Sequence, residues 1–385
     1  MEIPKILFLT CMPLEQPRSA SMAFMGLLLE KYPQTFSWFS LHPPAKDSEN
    51  SYNIPYYFGT PIKFPSRFPW LKNLINNFLY SRLIAQKAAE FGRMNKTQLV
   101  LADLAFESVI AGRLTAKRLG VPLLVMVHDD PVNRIRNKGF PAWLVKLYER
   151  EFVKTLRSAH ACAVISDYMG QYYRQKYSVE TVTLFPGVDP DKCLKPRRLS
   201  IENTSIVIGS IGSINSKENW DLLINAIYHL NQRVGSIMFR ILHIGSLPQH
   251  LALSPIVEVT GWLPEDEFIK QLKRIDIGFL NWTFDPAFSV TVQTSLPLKI
   301  TSYIQAQVPM LALGPEGSSI IRFVMDHQCG FVCSTDSLER LTANLQRFLS
   351  DLELINNSME SVKELKEIYS LEQFYKNFEE FIYNG

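Results

Sequence analysis

The chain has 385 residues, 46% of them hydrophobic and 20% charged, with a formal net charge of +3. This composition excludes a disordered or fibrous protein, and the length exceeds what one hydrophobic core usually serves, so two domains are expected. No apolar span approaches the roughly 18 residues of a membrane-crossing helix. The first apolar run, Ile6 to Leu9, is too short for an export signal and reads as a strand, so a cytoplasmic protein is expected. Cys11, Cys162, Cys193, Cys329 and Cys333 lack disulfide-framework spacing, and no second Cys/His pair completes a metal site around Cys329 and Cys333. Reduced thiols are the expectation.

In chain order, apolar runs fall at 5–10, 36–41, 98–104, 122–129, 161–166 and 181–186, then at 205–211, 239–245, 256–262, 275–281, 309–313 and 330–334. They are short, rich in Val, Ile, Leu and Phe, and not strictly alternating, as strands covered on both faces should be. Helical patterns separate them. Asn215 is a candidate cap with Glu218 three residues on, and Trp220, Leu223, Ile227 and Leu230 form the apolar face that follows. Two consecutive βα series predict two doubly wound domains. The expected division is a first domain over 1–187, a linker over 188–204, a second domain over 205–366 and a terminal segment over 367–385. The linker opens with Pro186-Gly187-Val188-Asp189-Pro190, contains Lys195-Pro196-Arg197-Arg198, and has no apolar period. Phe374, Phe378 and Phe381 give the terminal segment a helical stripe. Asp189-Pro190-Asp191 reads as a turn signal and not as a metal site.

The charge is unevenly placed. Residues 58–157 hold 17 Lys/Arg against 7 Asp/Glu, so the remainder is acidic overall. Such a region implies an anionic partner: a phospholipid surface, a polyprenyl-phosphate acceptor or nucleic acid. Trp70, Leu71, Leu74, Ile75, Phe78 and Leu79 recur at helical spacing beside Lys72 and Arg82. That suits an interfacial amphipathic helix, or equally an ordinary surface helix packed on a sheet. No nucleic-acid recognition motif accompanies the charge, so nucleic acid is not expected.

The segments that carry chemistry lie mostly in the second half. Thr294-Ser295-Leu296-Pro297-Leu298-Lys299-Ile300-Thr301-Ser302-Tyr303 joins a polar turn and a lone lysine to a short helix, and a strand then leads to Gly314-Pro315-Glu316-Gly317-Ser318-Ser319. Helix-start amides and one ammonium suit a diphosphate; the alternative for Lys299 is a surface ion pair. Gly209-Ser210-Ile211-Gly212-Ser213 is a second candidate phosphate turn, with Lys217 shortly after. Trp262 is placed either to stack on a base or to close the core at a strand end. In the first half, His128-Asp129-Asp130 follows an apolar run, so His128 would project from a strand's carboxyl end and could exchange a proton near neutral pH. Its alternative is a structural histidine.

The 294–303 segment resembles the donor-sugar motif of GT-B glycosyltransferases, close to retaining family four, where it often reads T-S-x-P-x-K-x-x-E-Y. Thr294, Ser295, Pro297, Lys299 and Tyr303 match; Ser302 stands at the glutamate position. The family's usual arginine and lysine after the second glycine are Ser213 and Glu218 here. The resemblance implies a GT-B fold with two Rossmann-like domains facing a cleft. It also implies a nucleotide-sugar donor held by Gly212, Ser213, Lys217, Trp262, Thr294, Ser295, Lys299, Ser302, Gly317 and Ser318, and a catalytic His128. Asp129, Arg18 and Ser19 fall on the acceptor side, no metal or other cofactor is expected, and the terminal helix would cross back to the first domain. The function so implied is hexosyl transfer, with retention of configuration, to a glycan or lipid-linked acceptor in cell-surface polysaccharide or glycolipid synthesis, at or near the cytoplasmic membrane face. An inactive GT-B-like scaffold and a nucleotide-sugar epimerase are the alternatives.

Overall fold

The computed structural model describes residues 3–14, 20–41, 53–58, 71, 74–197, 205–214, 216–233, 238–248, 251 and 254–383. The chain divides into two compact units, one formed by Met1–Phe185 with Tyr375–Gly385 and the other by Pro186–Phe374.

Unit 1 is built on β1 (Ile6–Thr10), α1 (Ala20–Lys31), β2 (Phe36–Ser40), β3 (Tyr56–Phe58), α2 (Ser81–Met94), β4 (Leu99–Asp103), α3 (Ser108–Leu119), β5 (Leu123–Val127), α4 (Pro131–Asn137), α5 (Ala142–Ser158), β6 (Ala161–Val164), α6 (Asp167–Tyr177) and β7 (Val182–Thr183). The strands form one parallel sheet in the order β3-β2-β1-β4-β5-β6-β7. Every residue of β1, β2, β4 and β5 is buried, which is why their sequences run apolar without alternation. The predicted strands are all present. The added strand, β3, is a three-residue edge whose Tyr57 and Phe58 are exposed, so it carries no burial signal.

The stripe at 70–79 differs from its α-helical reading. Trp70 and Lys72 lie outside the described residues, and Ile75–Tyr80 is a π-helical turn. The wider turn swings Asn76 and Asn77 inward, where both are buried, and leaves Leu79 58% exposed. The Ser81 hydroxyl lies 2.7 Å from the Asn77 carbonyl and 3.1 Å from that of Asn76, compensating carbonyls that the α ladder would have used.

Unit 2 contains β8 (Ser205–Ile211), α7 (Lys217–Arg233), β9 (Met238–Ile244), β10 (Val257–Val259), α8 (Glu265–Leu272), β11 (Ile277–Asn281), α9 (Ser289–Thr294), α10 (Lys299–Ala306), β12 (Met310–Leu313), α11 (Ser319–Asp326), β13 (Gly330–Cys333), α12 (Leu338–Ser350) and α13 (Leu352–Ile368). Its parallel sheet runs β10-β9-β8-β11-β12-β13. Trp220, Leu223, Ile227 and Leu230 of α7 pack against β8 and β9 in the core. The cap of α7 is Ser216, whose hydroxyl oxygen accepts from the Asn219 amide at 3.2 Å; Asn215 lies outside the described residues.

The segment after Phe185 is tied down locally. The Val188 amide donates to the Tyr369 carbonyl at 2.7 Å and its carbonyl accepts from the Leu371 amide at 2.8 Å, and Asp189 accepts from the Asp191 amide in a short 3₁₀ turn. The last helix, α14 (Leu371–Tyr383), buries Phe374, Phe378 and Phe381. Within unit 1, Phe378 lies against Tyr32 and Phe36, the Tyr32 hydroxyl donates to Glu379 at 2.8 Å, and Tyr375 donates to the Leu27 carbonyl at 3.3 Å. Among the described residues, no helix is long and apolar enough to cross a membrane, and all five cysteines are free.

Candidate active site

Both sheets reverse strand order once, between β1 and β4 in unit 1 and between β8 and β11 in unit 2. In open parallel sheets, ligands gather beyond the carboxyl ends of the strands at such a reversal. Several polar residues of each unit lie at these strand ends, among them Thr10, Asp103 and His128 in unit 1 and Ser213 and His243 in unit 2.

In unit 2, β8 ends in the Gly212–Ser213 turn. Gly212 adopts φ +74°, and the turn is closed by Gly245, where a Cβ would lie 2.7 Å from the Gly212 carbonyl oxygen. Lys299, the first residue of α10, reaches this turn and donates to the Ser213 carbonyl at 3.2 Å. It is half-buried, and burial lowers its pKa to about 8. No carboxylate pairs with it among the described residues; the unit's ion pairs lie elsewhere, such as Arg197–Asp276 and Arg274–Glu258. The ion-pair alternative for Lys299 therefore has no partner to support it.

The rest of the donor set is placed unevenly. Lys217 is taken up by an ion pair with Asp221, one turn along α7. Thr294 ends a helix instead of starting one: its hydroxyl donates to the Val290 carbonyl at 2.6 Å, and the Ser295 amide donates to the Thr291 carbonyl at 2.8 Å. The Ser295 amide is thus not a free phosphate donor, contrary to the expectation from sequence. Ser295 offers instead a carbonyl to Ser319, whose hydroxyl also accepts from the Trp282 indole at 3.0 Å. Asn219 then reaches the Trp282 carbonyl at 2.7 Å, so α7, the β11 loop and the start of α11 are knitted together. Gly317 has φ +77°, and Ser318 opens α11 without capping it: its hydroxyl oxygen is buried and has no partner among the described residues. The first amides of α11 are left to a ligand or water. Ser302 is half-buried on α10. Trp262 is 62% exposed, so its ring does not close the core.

Two residues of unit 2 were given no site role in the sequence reading, Tyr303 being read only as a motif match. Tyr303 is fully buried, its hydroxyl 2.9 Å from the carbonyls of both Gly209 and Phe279, and its ring occupies the space that a side chain at 278 would need. It holds α10, and so Lys299, against β8 and β11. His243, at the end of β9, lies 3.2 Å from the Ser210 hydroxyl, and burial pushes its pKa down to about 4, so it is neutral. A histidine ending an apolar run was the available signal.

In unit 1, His128 follows β5 with its ring edge-on to Phe24 at 5.3 Å, and its Nε2 is buried without a partner among the described residues. Asp130 fixes the loop: it caps α4 by accepting from the Asn133 amide at 2.6 Å and accepts from the Tyr173 hydroxyl at 3.3 Å. Asp129 is 4.0 Å from Arg134. Neighbouring strand ends add Thr10, which donates to Asp103 at 2.9 Å. Burial raises the Asp103 carboxyl, while His128, the Thr10 hydroxyl and Arg134 pull it back down. Asp103 ends an apolar run as His128 does, so the same rule would have found it. Arg134 comes to the site through tertiary packing and left no sequence signal. Arg18 and Ser19 lie outside the described residues. No group of three or more candidate metal ligands occurs among the described residues.

Two doubly wound α/β units, the second with glycine turns at its strand ends, have the architecture of the GT-B fold. A glycosyltransferase from Rickettsia africae is 15% identical with a TM-score of 0.69, covering 99% of this chain and 100% of that one. Sucrose-phosphate synthase from Thermosynechococcus elongatus is 12% identical with a TM-score of 0.70, covering 98% of each chain. Anabaena Alr3699/HepE, in complex with UDP-glucose, is 14% identical with a TM-score of 0.67, again over 98% of each chain. No curated protein sequence matches the chain. Residues 37–192 match Glycosyltransferase Family 4. The likeness in structure spans nearly the whole chain, so the chain has the GT-B fold.

Proposed function

We propose that this chain transfers a hexosyl group from a nucleotide-sugar donor to a glycan or lipid-linked acceptor, in the synthesis of a surface polysaccharide or glycolipid. The observation that carries the reading is Lys299: a half-buried ammonium, with no carboxylate partner among the described residues, facing the Gly212–Ser213 turn. An unpaired, partly desolvated cation is costly to keep. A donor diphosphate supplies the missing charge, and the uncapped start of α11 with Gly317 and Ser318 supplies amides. As the glycosidic bond breaks, negative charge grows on the departing diphosphate, and these fixed groups stabilise it without reorganising. Exposed Trp262 is available to the base, and the UDP and UDP-glucose complexes of Alr3699/HepE support a nucleotide-sugar ligand. His128 and Asp129 serve the sugar and acceptor, and no metal is needed in this scheme.

A thermal-shift screen over nucleoside diphosphates and their sugars tests donor binding, because a specific ligand stabilises by mass action. Release of the diphosphate that depends on an added acceptor identifies transfer. Tight binding with no release in any acceptor mixture would mark a scaffold, and interconversion of the free donor would mark an epimerase.

A further inference from the structure

Phe106, in the loop between β4 and α3, holds a backbone conformation that an aromatic residue rarely takes. Its φ is +47°. Bulky side chains are outliers in that region, whereas glycine and asparagine enter it readily. The other non-glycine residues with positive φ among those described are all polar, and Ser178 and Gln307 close helices, where such a turn is ordinary. Phe106 closes no helix. It stands two residues before α3 and is kept there by buried Tyr148, whose hydroxyl donates to the Phe106 carbonyl at 3.1 Å.

The strained backbone presents a half-buried ring with two cations on it. The Arg134 guanidinium lies 5.1 Å from the ring centroid and the Lys138 ammonium 4.3 Å. Arg134 is in α4 and Lys138 ends it one turn later, and both are exposed. Like charges at that spacing repel, and cation–ring contacts at exposed positions are weak. The arrangement therefore does little for stability against the cost of the backbone conformation, and strain of this kind gathers at ligand sites. Nearby acid does not neutralise the pair. Asp129 reaches Arg134 only at 4.0 Å, between half-exposed side chains, and the Lys138 ammonium has no ion pair or hydrogen bond among the described residues. Asp129 adjoins His128, and Arg134 pulls down the Asp103 carboxyl, so the pair borders the carboxyl ends of β4 and β5, where a ligand of this sheet gathers.

We propose that Arg134 and Lys138, gathered on the Phe106 ring, bind a phosphate group carried by the acceptor. The inference names the chemical class of the acceptor and rests on the transfer reading of the proposed function. Two cations already held at one ring lose less side-chain freedom when a shared anion arrives. An arginine fork beside a compact ammonium suits the oxygens of a phosphate, whereas a neutral glycan would leave both charges unmatched.

The experiment is calorimetric titration of the full chain with two pairs of probes: glucose 1-phosphate against glucose, and geranyl phosphate against geraniol. The first pair tests a phosphorylated sugar as the source of the group, the second a phosphorylated lipid. In at least one pair the phosphorylated member should bind about 10-fold more tightly or better. Arg134→Gln, Lys138→Gln should remove that preference, and its melting temperature should not fall, because a like-charge pair is gone. Phe106→Asn accepts the positive φ and should weaken the phosphorylated probe about two- to fivefold through loss of the ring. Arg134→Gln, Lys138→Gln should bind a nucleoside diphosphate as wild type does, and Lys299→Met should keep its affinity for the phosphorylated probe, so this site and the donor site fail independently. No preference for phosphate in either pair, undiminished binding by Arg134→Gln, Lys138→Gln or by Phe106→Asn, or a loss confined to Lys299→Met would each overturn the proposal.

Discussion

Replacing Lys299 by Met should leave the free protein as stable as before or more so, while removing much of its affinity for a diphosphate. Burial lowers the ammonium from 10.5 to about 8. Between those values the unfolded chain holds the proton that the folded chain has lost, so stability rises with pH across that window; below about pH 8 the burial cost is fully present. At about 1.4 kcal/mol per pH unit the shift corresponds to about 3 kcal/mol, reduced to about 1–2 kcal/mol by solvent at a half-buried group. Methionine keeps the stem's packing, and water replaces the bond to the exposed Ser213. Unit 2 should therefore melt at the same temperature or a few degrees higher. Binding should move the other way. Loss of a charge-assisted contact costs about 1.5–3 kcal/mol, roughly 10- to 150-fold in affinity. Lys299→Arg should restore only part, because a planar fork does not occupy the place of a compact ammonium. Calorimetric titration with the nucleoside diphosphate and with the free nucleoside reads this out: the loss belongs to the diphosphate alone. In wild type, diphosphate affinity should also fall as pH rises above about 8, and in the Met variant it should stay flat. Equal losses for both ligands, or a wild-type affinity independent of pH from 7 to 10, would refute the assignment of Lys299 to the phosphates.

Three further outcomes are expected. His128→Ala should lower turnover about 100-fold or more with little change in donor affinity; unchanged turnover with a lower melting temperature would make His128 structural. Trp262→Ala should weaken nucleoside and diphosphate alike, by about 1–3 kcal/mol if the ring stacks on the base, with stability unchanged because the ring is exposed; a loss for the diphosphate only would place Trp262 elsewhere. Gly245→Ala should destabilise unit 2 by roughly 2 kcal/mol or more, since its φ of +149° and the Gly212 carbonyl 2.7 Å from a Cβ both resist a side chain. Chemical denaturation with far-UV detection measures it, and a neutral substitution would mean that the turn can shift.

Much of the fold was legible because both sheets are parallel and covered, so their strands are apolar runs that no surface helix imitates. The strand that escaped, Tyr56–Phe58, lies at an edge where burial does not act on the sequence. The 75–80 stretch was misjudged because a 3.6-residue period was applied to a π-helical turn, in which Asn76 and Asn77 face inward. In the site, Lys299 and His128 were visible as polar residues at element ends. The Lys217–Asp221 pair was also in plain view at four-residue spacing, and it gives the cation assigned to the phosphate turn an acidic neighbour. The engagement of the Ser295 amide was not visible, because it depends on Thr291–Ser295 closing a helical turn where a helix start had been expected.

Unit 1 is written in two pieces, and the second is translated after all of unit 2. Until Tyr375 and the residues beyond it emerge, Tyr32 and Phe36 lack the aromatic cover that Phe378 gives them. At usual elongation rates the roughly 190 intervening residues take about 10–40 s to make. During that interval the nascent chain carries a greasy, unfinished face, open to chaperones, proteases and other nascent chains. Unit 2 has no such wait, since its last residue, Phe374, lies in the first turn of the final helix. The order of maturation is therefore the reverse of the order of the units along the gene.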